Sequence, residues 1–316
     1  MIHPIDRAAG WLFRYGSPSQ TVFRAGWGDE QLLDAIDVSG TDTGPAAIEV
    51  VWAAERRQGD MILRDGTFPS PAENLPGPSQ TASLRMVSPA RPDGRLVVMM
   101  AAWNDHGYGT RGPLAALLAS RGVTAVMLEN PYYGTRRAWS DPPIRTVTDF
   151  ALMGRGAVEE GRALLAYFAR DHEVGVSGFS MGGNTAALAG ALMDKPVAIA
   201  ALAASHSPGP VWSEGLIRYT VDSRALGGDA GLQRLRSELS RATVLAVPPR
   251  PHTANAVIVG GSRDGYIPRH AVEDLHAHWA GSELRWLRAG HATMIWRHKN
   301  ELVDAILNSF RRTFGD

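Results

Sequence analysis

The chain has 316 residues, 44% hydrophobic and 20% charged, and its 32 basic and 32 acidic side chains give a formal net charge of zero. This balance excludes a disordered polymer, and without a block of like charge no surface is built to follow a phosphate backbone, so nucleic acid is not an expected partner. The absence of cysteine excludes disulfides, thiolate metal sites, iron–sulfur clusters and a cysteine nucleophile.

No run of about 18 apolar residues occurs, and Met1–Gly10 carries Asp6 and Arg7 where a secretory signal would be apolar. One cytoplasmic domain spanning 1–316 is expected, with no integral membrane segment. Residues 1–80 are the least patterned. Trp11, Phe13, Trp27 and Trp52 lie among polar stretches and Phe68–Pro78 is rich in Pro and Gly, so this part reads as a lead-in packed on the main domain.

From Leu84 onward, short apolar runs alternate with helical patterns, as in βα units around a mostly parallel sheet. Leu96–Ala101 reads as a buried strand, followed by the loop Trp103–Arg111, a helix over Pro113–Ser120 closed by Gly122, and a strand over Val123–Leu128. After the loop Glu129–Pro143, the spacing of Val147, Phe150, Gly154, Ala157, Gly161, Leu164 and Phe168 predicts a long helix. Val174–Ser177 is a strand, Met181–Asp194 a helix stopped by Pro196, and Val197–Ala201 another strand. Residues 207–251 are richer in polar and turn residues, with a helical piece near Leu232–Leu239, and read as a lid-like insertion. Strands over Ala256–Gly260 and Glu283–Leu287 and helices over His270–Trp279 and Glu301–Phe310 complete the pattern.

Gly178-Phe179-Ser180-Met181-Gly182 fits G-x-S-x-G, the sharp turn that exposes a nucleophilic serine between a strand and a helix, and both elements are predicted here. Serine is a weak nucleophile, so it requires a histidine base oriented by a carboxylate, in the order Ser, acid, His. Asp264 follows the strand ending near Gly260-Gly261, and His291 follows Glu283–Leu287. All three candidates therefore lie beyond strand C-termini, where open α/β sheets build their sites. An oxyanion hole takes one N–H from Met181 and a second from the loop after Leu96–Ala101, with Trp103 preferred and Asn104 as the alternative.

Rival residues fit less well. His276 and His278 are two apart on a helix and read as solvated surface, and His252 precedes a strand; only His206 falls on the correct edge, where it can line the pocket or compete as base. Glu214 and Asp222 rank below Asp264 because an orienting acid works best on a rigid support. His106, within Asp105-His106-Gly107, either touches substrate or braces a turn. Arg111, Arg136 and Arg137 suit a clamp for a phosphate or carboxylate, or are ordinary surface arginines; Tyr132, Tyr133 and Trp212 line an acyl pocket or simply pack.

These motifs resemble the α/β-hydrolase superfamily. Glu129-Asn130-Pro131-Tyr132-Tyr133-Gly134 with Arg136-Arg137, Asp105-His106-Gly107, Ser180-Met181-Gly182-Gly183, Asp264-Gly265-Tyr266-Ile267-Pro268 and Trp279-Ala280-Gly281 narrow the resemblance to the alpha/beta-hydrolase-domain-containing protein 18-like family, over Thr67–Arg312. The resemblance implies a mostly parallel sheet of about eight strands, flanked by helices, with the site above it. Where the family pattern has Gly-Thr-Gly before Asp-His-Gly, this chain has Ala102-Trp103-Asn104, so Trp103 reshapes the oxyanion loop. Animal members are associated with mitochondria, but no Arg- and Ser-rich leader is evident here.

The expected activity is serine-dependent hydrolysis of a small-molecule carboxylic ester, with no metal or organic cofactor. The lid-like insertion and aromatic loops favour a hydrophobic or acyl-lipid ester. A peptidase or amidase, a thioesterase and a catalytically silent binding protein are the alternatives. Acyl length, headgroup and oligomeric state are not legible in the sequence.

Overall fold

The buried apolar runs form the centre of one sheet because their alternate side chains have a helix layer to enter on each face. In the computed structural model, residues 2–15, 21–36, 44–139 and 142–315 are described. Residues 16–20 and 37–43 of the lead-in and 140–141 of the Glu129–Pro143 loop lie outside the described residues.

The strands are β1 (Val51–Trp52), β2 (Arg56–Gln58), β3 (Met61–Pro69), β4 (Thr81–Pro89), β5 (Arg95–Met100), β6 (Thr124–Leu128), β7 (Glu173–Phe179), β8 (Ala198–Leu202), β9 (Val257–Gly261) and β10 (Glu283–Leu287). They form a ten-stranded sheet in the order β1-β3-β4-β6-β5-β7-β8-β9-β10, with β2 also on β3. From β6 to β10 the neighbours are parallel, whereas β3, β4 and β6 pair antiparallel. This is the α/β-hydrolase fold, with β1 and β2 as short additions at the β3 edge. Two and three residues are too few to show an alternating pattern in sequence, and β3 escaped notice because its first five residues are only half-buried.

The helices are α1 (Pro4–Tyr15), α2 (Glu30–Ala35), α3 (Gly112–Ala119), α4 (Val147–Phe168), α5 (Met181–Ala191), α6 (Pro208–Ser213), α7 (Ser223–Leu226), α8 (Gly228–Ser240), α9 (Arg269–His278), α10 (His291–Arg297) and α11 (Lys299–Phe314). Leu96, Val98 and Met100 of β5 join the core under α4, α5 and α9, while Val97 and Met99 join that under α3 and α11. Each fully buried aliphatic side chain contributes about 1.5–3 kcal/mol. α4 starts where it does because Thr146 Oγ1 accepts from Asp149 N–H and Asp149 reciprocally accepts from Thr146 N–H.

Residues 207–251 contain α6, α7 and α8. Trp212 of α6 enters a third apolar cluster with Phe23, Tyr133 and Phe150, on the side of the sheet where Ser180 lies. Among the described residues no helix is long and apolar enough to cross a membrane.

Candidate active site

β7 runs directly into α5, and the junction residue Ser180 has φ 58° and ψ −120°. Such a backbone costs a non-glycine residue about 1–3 kcal/mol and persists only where its surroundings enforce it. Here two bare glycines allow the enforcing contacts. A Cβ on Gly178 would lie 2.2 Å from the Gly182 carbonyl oxygen, and one on Gly182 would lie 2.4 Å from that of Met100. The turn therefore folds tightly on itself and the end of β5 presses against it, which carries the loop from Ala101 to Asn104 alongside Ser180.

Ser180 Oγ lies 2.9 Å from His291 Nε2, and His291 Nδ1 lies 2.7 Å from Asp264 Oδ2. The other Asp264 oxygen accepts from the N–H groups of Tyr266 at 2.7 Å and Ile267 at 3.0 Å, so the carboxylate cannot swing away without losing several bonds. The imidazole is held between Phe179, at 4.9 Å between ring centroids, and Tyr266, which stacks on it at 4.8 Å. With Nδ1–H donated to the carboxylate, Nε2 is left to accept the serine proton. Burial opposes a charge on His291, but the charge and hydrogen bond of Asp264, together with the charge of Asp6, outweigh it and raise the imidazole pKa above the ordinary 6.5.

Asp6 was missed as a site residue. It is fully buried on α1, where Oδ2 accepts from Gly265 N–H at 3.0 Å and His291 N–H at 2.7 Å, and Oδ1 from Ala292 N–H at 3.4 Å. The available signal was helical spacing, since Asp6, Gly10 and Phe13 share one face. Gly10 faces Leu216, and the Phe13 ring meets Tyr266 edge-on at 6.1 Å.

Two cavities meet at Ser180. One, of about 490 Å³, opens over Ser180 and His291 between Phe13, Trp103, His106 and Ile144. The other is a recess of about 40 Å³ walled by Trp103, Phe150, Met181, Trp212 and Ile267, with Ser207 at its edge. The Trp103 indole stands between them, 5.1 Å from Trp212 and 5.8 Å from Phe150. Asn104 N–H is directed at Tyr133 Oη, 3.4 Å away, which leaves Trp103 N–H as the loop's candidate oxyanion donor. His106 lines the large cavity with its ring 4.6 Å from that of Tyr133.

The arginine clamp is corrected by the structure. Arg111 is buried, bound to Asp105 at 2.6 Å and to the carbonyls of Met99, Leu128 and Gly107. Arg136 is buried on both oxygens of Glu160, at 2.5 and 2.8 Å, and on the carbonyls of Glu129 and Ser79. Both guanidinium groups satisfy carbonyls at strand ends and in loops, and neither they nor the half-buried Arg137 lines the cavity over Ser180. Tyr132 is likewise no wall of either cavity: it is buried, packs on Trp139 at 5.7 Å and donates its N–H to Ser79 Oγ.

The rival histidines are engaged elsewhere: His206 with Thr243, His252 with the Gly190 carbonyl, His276 with Ser282 and His278 with the Val247 carbonyl. Glu214 pairs with Arg236, and Asp222 caps α7 through Ala225 N–H. Among the described residues no group of three or more His, Cys, Asp or Glu side chains is arranged to hold a metal.

A family model described as alpha/beta hydrolase domain containing 18 matches residues 20–247 and 230–312. Acetyl xylan esterase 1 from Thermoanaerobacterium sp. JW/SL YS485 is similar in fold, with a TM-score of 0.60 and 13% identity over 98% of this chain and 99% of that one. An acetyl xylan esterase from Paenibacillus sp. R4 gives 0.58 and 14%, over 92% and 97%. An S-formylglutathione hydrolase from Agrobacterium tumefaciens gives 0.53 and 13%, over 85% and 100%.

Arg136→Ala should lower stability by about 3–5 kcal/mol in chemical denaturation, because it leaves Glu160 buried without its cation. The ratio of rates on neutral and phosphate-bearing esters should not change; a selective loss on the phosphate-bearing ester would restore the clamp.

Proposed function

Because the chain belongs to the alpha/beta hydrolase domain containing 18 family, we propose that it is a serine hydrolase that cleaves a carboxylic ester through an acyl-enzyme. The observation that carries this reading is the continuous line from Ser180 Oγ through His291 to Asp264, with contacts of 2.9 and 2.7 Å. Ser180 Oγ attacks the acyl carbonyl carbon while His291 Nε2 takes its proton, and the carbonyl oxygen becomes an oxyanion facing the N–H groups of Met181 and Trp103. Met181 is the first residue of α5, so its N–H has no intrahelical acceptor and points out at the positive end of the helix. The imidazolium then gives its proton to the departing alkoxide. Water, deprotonated by the same nitrogen, attacks the acyl carbon and releases the carboxylic acid and free Ser180.

The two cavities support a finer reading of the substrate. The leaving oxygen must come within reach of His291 Nε2, and His291 lines the large cavity but not the recess. The alcohol part accordingly occupies the roomy side and the acyl part turns under Trp103. A recess of only about 40 Å³ favours a small acyl group over a fatty chain. This favours a short-chain ester of a larger alcohol over an acyl lipid. The acetyl xylan esterases among the structural neighbours are consistent with that preference.

A fluorophosphonate probe should label the wild-type protein and not Ser180→Ala, and that variant should lose turnover by at least about a thousandfold while melting normally. An unlabelled wild-type protein counts against hydrolysis and for a binding role. On nitrophenyl esters, kcat/KM for acetate should exceed that for hexanoate by tenfold or more, and faster turnover of long chains rejects the small acyl site. Since His291 must be neutral to act as base and its pKa is raised, kcat/KM should fall on acidification with a midpoint above 6.5. A midpoint below that value removes this account of the imidazole.

A further inference from the structure

Asp264 and His291 lie on different loops, beyond β9 and β10, and must be held at hydrogen-bond distance. Two main-chain bonds tie the loops at their base, from Ser262 N–H to the Leu287 carbonyl at 2.8 Å and from Arg263 N–H to that of Ala289 at 3.1 Å. Farther out, the connection is made by α1. We propose that Asp6 is a positioning residue, a buried carboxylate that clamps the loop bearing Asp264 to the helix start bearing His291 and so sets the contact between them. The proposal rests on the reading of Ser180, His291 and Asp264 as the reacting line.

The bonding is specific. Gly265 N–H belongs to the acid loop, while His291 and Ala292 are the first two residues of α10, whose amides have no intrahelical acceptor. The residue before α10 is Gly290, which has no side chain with which to cap it, and Asp6 fills that place from another part of the chain. Both receiving loops are bare where the helix meets them. A Cβ on Gly265 would lie 3.2 Å from Asp6 Cβ, and one on Gly290 would lie 2.8 Å from Asp6 Oδ2 and 2.4 Å from His3 Cβ. His3 N–H binds the Arg263 carbonyl at 2.9 Å, so the helix is pinned on the acid loop at a second point. Residues 4–15 precede the segment that matches the family model, which begins at 20.

Charge gives the clamp a second effect that a plain structural cap would lack. The titratable groups around His291 are Asp264 on the acid loop, Asp6 and His3 on or beside α1, the Tyr266 phenol stacked over the ring, and His106 in the wall of the same cavity; β7 contributes Phe179, and the turn after it Ser180. The Asp6 charge adds to that of Asp264 in favouring the imidazolium, although Asp6 touches no reacting atom.

The test compares Asp6→Asn and Asp6→Glu with the wild-type protein on a nitrophenyl acetate. Asp6→Asn keeps the shape but removes the charge and turns an amide donor toward backbone donors. It should lower kcat by about 10- to 100-fold with KM within about threefold, slow fluorophosphonate labelling in proportion, and move the acidic midpoint to lower pH. Asp6→Glu restores the charge and should return the midpoint and part of kcat. Hydrogen exchange on the wild-type protein, which needs no variant to fold, should show Gly265 and His291 amides protected to the level of the central strands. Wild-type kcat and midpoint in Asp6→Asn, rapid exchange at those amides, or an activity loss that only tracks unfolded protein with the midpoint unmoved would each overturn the positioning role. If Ser180→Ala stays active, the underlying hydrolase reading fails instead.

Discussion

The constraint on which the site depends is the bond between His291 and Asp264, because an imidazole can present one nitrogen to a hydroxyl only when the other is fixed from behind. That bond follows from strand register. Leu287 of β10 pairs with Gly261 of β9, so the two loops leave the sheet level with one another. The pairing of Leu202 with Val259 and of Phe179 with Leu202 brings the end of β7 toward the same rim. Residues 111 and 27 positions apart along the chain therefore meet because parallel strands of similar length end together. The strained turn at Ser180 then lifts the hydroxyl above that rim, and the close contact of Gly182 with β5 adds the Trp103 loop.

Much of this was legible in the sequence because its physical causes are local. Central strands buried on both faces read as unbroken apolar runs, and the turn at Ser180 demands glycines at fixed offsets. Asp264 and His291 could be placed by their position after predicted strands. The departure at Ala102-Trp103-Asn104 was visible too, although its result, an indole dividing two cavities, required the neighbours Phe150 and Trp212.

What was not legible depends on contacts distant in sequence. Arg111 and Arg136 have the composition and position of a substrate clamp, but their partners are carbonyls and, for Arg136, the Glu160 carboxylate, whose location is fixed only when β5, β6 and α4 come together. Tyr132 packs for the same reason. Asp6 is one acid in a weakly patterned segment, and its value lies in amides more than 250 residues away. The edge strands β1 to β3 are short or half-exposed, so no strong alternation announced them.

With Arg111 and Arg136 occupied inside the protein, no Arg, Lys, Asp or Glu among the described residues lines the large cavity, and His106 and His291 are the only ionisable nitrogens among its described walls. Attraction between fixed charges is screened within about 10 Å at 0.1 M salt, whereas release of water from apolar walls is little affected by such screening. On the proposed reading, a ligand entering this chamber is selected mainly by desolvation and shape, with little help from fixed charge.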